Sequence, residues 1–265
     1  MRPVFREDHE QFREQARRFI EREIVPHLHA WEAEGIVPKS IWLKAGEAGL
    51  LCSTVPEEYG GAGGDFGHSA VMIEELARVN ATAVGFTTHS EIVAPYIVAY
   101  GTEAQKRVFA ANELAGRWFG TMCLSEPQAG SSLSDIATRA VPDGAGFEAD
   151  PLGPRYRLKG HKMWISSGEH ELTENIIHLV LAKIPGPDGK LVPGTRGISL
   201  FIVPKKLVDT EGRLTGERND VALAGLNHKL GWRGTTNTLL NFGEGKFPVR
   251  AGQGGRSDGA GGGLD

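Results

Sequence analysis

Near residue 117 the spacing of apolar residues changes from one regular code to another, so no single class of secondary structure accommodates the whole chain. Upstream, Phe12, Ala16, Phe19, Ile20 and Ile24 recur at intervals near 3.6 residues and share one stripe of a helix. Downstream, the runs TMCLS, YRLKGHKMWIS, IIHLVLAKI, ISLFIVPKK and TLLNF are short, apolar or alternating, and set apart by Gly, Pro and Asp turns, which is strand patterning. No crossover helices lie between those runs, so an antiparallel barrel or sandwich is expected rather than a βαβ sheet. The fold class is therefore α+β, with an all-helical part over 1–117 and a β-barrel or sandwich over 118–248. Residues 249–265 follow, where glycine supplies seven of the last fifteen positions; such a segment buries too little apolar surface to offset its ordering entropy and is expected to be disordered.

Local signals punctuate the helical part. Pro26 ends or kinks the first helix. Ser40 is a candidate N-cap for Ile41 to Ala48, with Gly49 as the left-handed residue that closes it. The glycines of Glu57 to Gly67 make a loop, and helical spacing resumes over Ser69 to Val79. Thr102 with Gln105 has the spacing of a capping box and opens another helix.

Charge and cysteine usage narrow the function. Twenty-nine Lys and Arg face 33 Asp and Glu, for a net charge of -4, so no basic field exists to hold a nucleic-acid backbone. Cys52 and Cys123 are far apart in sequence and form no C-x-x-C pair, which favours a reduced compartment without a disulfide frame or thiolate metal site. The amino terminus carries charges where a secretory signal needs an apolar core, and no run reaches the ~20 apolar residues of a membrane span, so a cytoplasmic protein is expected. His170, Glu171, Glu174 and His178 fit no ligand spacing, and no metal is expected. Glu57, Glu58, Glu74 and Glu75 read as solvated faces or helix pairing. No G-x-G-x-x-G follows a strand, so a Rossmann dinucleotide site is not indicated.

The chemistry concentrates in MCLSEPQAGSS, Met122 to Ser132, where a strand runs into a Pro and Gly-Ser turn. This segment resembles the flavin-binding signature of the acyl-CoA dehydrogenase family. Three other segments match in the family's order: PEEYGGAGGDF from Pro56, KGHKMWISSGE from Lys159, and HKLGWRGTTNTLLNF from His228. The resemblance implies FAD as cofactor, bound through Met122, Leu124, Ser125, Gly130 and Ser131 on one side and Trp164, Ile165 and Ser166 on the other. Ser131 would also meet the acyl-CoA substrate. Met122 stands where many members have an aromatic residue, and Ser125 and Ser166 replace the commoner threonine while keeping a hydroxyl donor. Glu126 is structural in the family, not the base.

The resemblance further implies α,β-dehydrogenation of an acyl-CoA thioester, with electrons passed to an electron-transfer flavoprotein and assembly as a homodimer or homotetramer. The family's catalytic glutamate belongs to a carboxy-terminal helical bundle, so it is expected beyond the end of this sequence, which would make the chain a truncated or frame-shifted portion. Two alternatives remain open at this point, a non-catalytic remnant that keeps the flavin platform and an acyl-CoA oxidase-like enzyme. The long stretch from His170 to Asp220 looks most similar to bacterial relatives acting on longer or unusual acyl groups, methylthio-propanoyl-CoA among them.

Overall fold

The computed structural model describes residues 4–249 and 260–263. Its helical layer contains α1 (Glu7–Phe19), α2 (Leu28–Glu34), α3 (Lys39–Glu47), α4 (Phe66–Arg78), α5 (Ala94–Tyr100), α6 (Glu103–Gln105) and α7 (Ala111–Leu114). The apolar stripe of α1 continues through one π-helical stretch, Ile20–Ile24, which keeps Ile20 and Ile24 in the core. Pro26 then sits in a single 3₁₀ turn, Val25–His27, so the chain kinks there and resumes as α2 until Gly35 takes a left-handed conformation.

Two helix starts differ from the sequence expectation. Pro38, not Ser40, caps α3, because its extended backbone already starts the helix and leaves Ser40 inside the first turn. Gly49 is left-handed as expected, at φ 66°. Helix α4 begins at Phe66, three residues earlier than expected, because the Asp65 carboxylate accepts the Gly67 amide and shortens the loop. The Thr102–Gln105 capping box is present in both directions, at 3.2 and 2.8 Å.

The strands are β1 (Trp118–Cys123), β2 (Arg139–Pro142), β3 (Arg155–Ser166), β4 (Asn175–Lys183), β5 (Ile198–Pro204), β6 (Lys206–Val208), β7 (Leu214–Arg218), β8 (Val221–Leu226), β9 (Asn237–Phe242) and β10 (Ala260–Gly263). The main sheet runs β1-β4-β5-β10-β3-β9-β8, and β2 pairs with both β3 and β4, so the sheet curls back on itself; β6 and β7 form a separate ribbon. An antiparallel sheet was expected, and the sheet is mixed: β1 runs parallel to β4, with Met122 opposite Leu179. The long excursion through β2 and β3 supplies the crossover that a parallel pair requires. In the glycine-rich end, where disorder was expected, Ala260–Gly263 pairs with both β3 and β5. Glycine needs no side-chain room in that slot. The remaining tail positions, 250–259 and 264–265, lie outside the described residues.

Aromatic packing welds the two layers. Phe119 of β1 points into the helical core, where the Trp42 ring meets it at 4.4 Å and Phe86 at 4.8 Å. Its neighbour Trp118 turns the other way, toward Phe109. A third cluster around Phe201, Leu240 and Phe242 fills the curled sheet. Among the described residues no helix is long and apolar enough to cross a membrane.

Candidate functional site

β1 delivers the chain to a turn held at both ends. The Glu126 amide donates to Ala129 O at 2.7 Å and the Ala129 amide returns a bond to Glu126 O at 3.1 Å, closing Glu126-Pro127-Gln128-Ala129. The Glu126 side chain turns inward. Its carboxylate accepts from the Ala137 amide at 2.7 Å, the Thr138 amide at 3.0 Å and Lys162 Nζ at 2.8 Å. Burial opposes a charge there, but the amides and the Lys162 ammonium outweigh it and hold the carboxyl at about 2. Lys162 has no exposed surface, and burial shifts its ammonium pKa down, against the pull of Glu126. The same Nζ donates to Leu124 O at 3.1 Å.

The other half of the site is the end of β3. Between Lys162 and Ile165 the register with β9 slips by a bulge, and Trp164 takes φ 64° within it. A bulge re-aims side chains that strict alternation would bury. Trp164 is accordingly 59% exposed while Ile165 is buried in the sheet core. Met163, inside the bulge, donates its amide to Ser125 O at 2.9 Å. One strand pitch away, Thr121 Oγ1 donates to Ser166 O at 2.5 Å.

The two sequence segments singled out above are therefore neighbours in space. Leu124 and Ser125 are bonded directly to Lys162 and Met163, immediately before Trp164. Gly130 faces Ser125: a Cβ there would come no closer than 4.0 Å to any other group, with Ser125 Oγ the atom it would meet. Ser131 lies exposed just beyond. Two residues are turned elsewhere. The Met122 side chain packs against the cluster around Trp118 and Leu179, and Ile165 presents only backbone, with its carbonyl accepting from Thr238 Oγ1 at 3.1 Å.

The free polar groups suit a ring with a polar edge and a phosphate-bearing tail. Among the described residues, no protein group engages the hydroxyls of Ser125, Ser131 and Ser166, or the amides of Gly130, Ser131 and Ser132. Next to them Trp164 offers an exposed apolar face. Hydroxyl donors, free amides and an aromatic plane are the donor set that a flavin dinucleotide requires.

Other clusters do different work. His170 and His178 are buried apart from Glu174, and desolvation depresses both imidazoles to about 3, which keeps them neutral. Glu171 pairs with Lys205 instead. Glu75, expected on a solvated face, is buried and holds Arg13, Arg17 and Arg78; the helix pairing half of that expectation stands, since Arg13 and Arg17 come from α1. Asp8, His9 and His68 bring ligand atoms within 4.8 Å of one another. The two rings are committed to helix caps: His9 Nδ1 accepts the Arg6 amide, and His68 Nδ1 lies 3.2 Å from both the Asp65 amide and the Asp65 carboxylate. Arg6 already supplies the cation to both Asp8 and Asp65.

A family profile described as acyl-CoA dehydrogenase, N-terminal domain, matches residues 6–117. The long-chain specific acyl-CoA dehydrogenase of Sus scrofa mitochondria is 33% identical over 251 residues, spanning 95% of this chain and 52% of its own length. The crystal structure of an acyl-CoA dehydrogenase from Geobacillus kaustophilus matches with a TM-score of 0.75 at 33% identity, over 98% of this chain and 59% of that one. This chain belongs to the acyl-CoA dehydrogenase family. It spans about half the length of the curated relatives it matches. An acyl-CoA dehydrogenase from Bacillus anthracis, solved in complex with FAD, has a TM-score of 0.71 at 27% identity, over 91% of this chain and 36% of that one. Within this acyl-CoA dehydrogenase scaffold, Lys162 joins the candidate site, bonded to Leu124 O and Glu126, although no motif gave it a role. The available signal was a lysine in the middle of an otherwise apolar strand motif, since a lysine is almost never fully buried unless paired.

Proposed function

We propose that this chain is the flavin-holding and acyl-CoA-cradling part of an FAD-dependent acyl-CoA dehydrogenase. The observation that carries the reading is the direct bonding of the Ser125 turn to the Trp164 strand end, through Met163 to Ser125 O and Lys162 to Leu124 O. FAD held there supplies the hydride acceptor for α,β-dehydrogenation of an acyl-CoA thioester. Ser125 and Ser166 donate hydroxyl hydrogens to the polar edge, Trp164 covers a ring face, and Gly130 leaves room for close backbone approach. Ser131 lies where both cofactor and substrate can be reached, Leu124 and Ile165 contribute backbone, and Met122 supports the platform from behind.

The two buried acids beside β1 do not suit removal of the α-proton. Glu126 is ionised but fully engaged in its clamp, and Glu113 is buried against β1 with burial holding it neutral. That step is assigned to a glutamate outside this sequence. The proposal includes electron transfer to an electron-transfer flavoprotein, assembly as a homodimer or homotetramer, a role in fatty-acid oxidation and a cytoplasmic setting, the last in keeping with two buried free thiols.

Reconstitution with FAD tests the reading. Purified protein should keep a flavin absorption band through gel filtration, and an acyl-CoA should bleach it once the base is present. The variant Ser125→Ala with Ser166→Ala should lower FAD affinity by about tenfold or more, the value of one or two lost hydrogen bonds. A colourless wild-type protein after gel filtration would overturn the proposal.

A further inference from the structure

We infer that Lys162 is the positioning residue of the flavin platform: through its buried pair with Glu126 it fixes the direction of the Leu124–Ser125 peptide, and so aims the Ser125 donors at the ring. The inference rests on the function proposed above and adds to it a residue that touches neither cofactor nor substrate.

The geometry carries the argument. Ser125 lies two residues past Cys123, the end of β1, and strand pairing of Trp118 to Cys123 with β4 ends before it. Ladder hydrogen bonds therefore do not orient its peptide. Two contacts from β3 do so: Lys162 Nζ on Leu124 O and the Met163 amide on Ser125 O, so consecutive carbonyls are pulled toward β3. When both carbonyls point to β3, the intervening Ser125 amide and side chain are left facing away from these bonds, next to Gly130.

Lys162 in turn is held by Glu126, and Glu126 by the Ala137 and Thr138 amides. A straight chain of bonds thus runs from the segment after the turn, through two buried charges, to the carbonyl beside Ser125. A buried lysine that served only to neutralise Glu126 would have no need of its second contact, the one to Leu124 O. A buried pair is also costly to desolvate and is seldom a net source of stability, whereas fixing one arrangement among several is its best-attested use.

The same pair accounts for the bulge. Lys162 must point inward to reach Glu126, and two residues later strict alternation would point Trp164 inward as well. The bulge between Lys162 and Ile165 breaks that alternation, leaving Lys162 buried and Trp164 exposed. One lysine therefore sets both halves of the platform.

The test uses Lys162→Met alone and together with Glu126→Gln, the double variant avoiding an unpaired buried charge should the single variant fail to fold. Hydrogen exchange at the Met163 amide reads the peptide orientation with no flavin present, and FAD titration reads its consequence. In the double variant, Met163 exchange should rise and FAD affinity should fall, each by about tenfold or more, while circular dichroism and exchange in α1 and α4 stay as in wild type. Unchanged Met163 exchange would overturn the inference. So would faster exchange with unchanged FAD affinity in a wild-type background that binds FAD. Wild-type protein that binds no FAD would overturn the proposed function instead, and Met163 exchange would still decide whether Lys162 orients the turn.

Discussion

Trp164 is held where an L side chain is strained, at φ 64°, and it gives up more than half of its surface to solvent. A large aromatic gains little from that placement, and a left-handed backbone at a bulky residue costs about 1–2 kcal/mol. The placement makes sense when the ring has a ligand to cover. Trp164→Gly should therefore leave the melting temperature of the flavin-free protein unchanged or raised, within about 1 kcal/mol, while FAD affinity falls; a large loss of stability would mean that the ring is packing and not a binding surface. The motif residues themselves were legible in sequence because each lies in a short contiguous stretch with its own turn chemistry. Lys162 and Glu126 were not paired in advance, because residues 36 positions apart meet only through strand register, and the bulge that buries one and exposes the other leaves no mark in composition. Ser40 illustrates a second limit: a side chain able to cap is no cap when a proline two residues earlier has already set the backbone.

At the scale of elements, α1 and α4 meet through an approach that only glycine permits. A Cβ on Gly67 would stand 2.3 Å from the His9 ring, which is buried and bonded on both nitrogens, to the Arg6 amide and to Asp65. Gly67→Ala should cost about 1–3 kcal/mol through overpacking, read from the urea midpoint. His9→Ala removes both the clash and a capping-box partner, so the double variant should lose less than the sum of the two single losses; strict additivity would show that the helices do not meet there. Helix existence was legible from the 3.6 spacing, and the Thr102 box from two residues. Strand direction was not, because alternation is the same in parallel and antiparallel pairs, and β1 finds β4 only after the chain has passed through β2 and β3. Which of the two readings of Glu75 held, solvated face or helix pairing, was not legible for a related reason: its three arginine partners come from two helices whose packing the local spacing of charges does not encode.

For the whole molecule, the weld between helices and sheet carries a buried acid with no paired cation among the described residues. Glu113 of α7 is fully buried beside Gly120 of β1, a Cβ on which would lie 2.9 Å from Glu113 Oε1, and among the described residues neither carboxyl oxygen has a hydrogen-bond partner. Desolvation pushes its pKa well above the ordinary 4.5, so the folded protein holds a proton that the unfolded chain releases at neutral pH. The sign follows: a raised folded value contributes stability that is full below pH 4.5 and lost as pH rises through the folded value. Three buried histidines act at the other end. His89, His170 and His178 are depressed by burial to about 4, 3 and 3, so the unfolded chain binds protons that the folded one refuses, and stability falls as pH drops from 6.5 toward those values. Glu75 and Glu126, held at about 2 by their cations and amides despite burial, extend that loss from pH 4.5 downward, one in each layer. These five groups therefore contribute to an acid limb, and Glu113 contributes a cost at neutral pH. Glu113→Gln keeps the volume and removes the titration, so it should melt like wild type at pH 4.5 and progressively higher as pH rises to 7. It should also remove the release of about one proton on unfolding at neutral pH, measurable by calorimetry in buffers of different ionisation enthalpy. Equal melting of the two proteins at every pH would show that Glu113 is ionised in the folded state, with a partner that the two layers do not themselves provide.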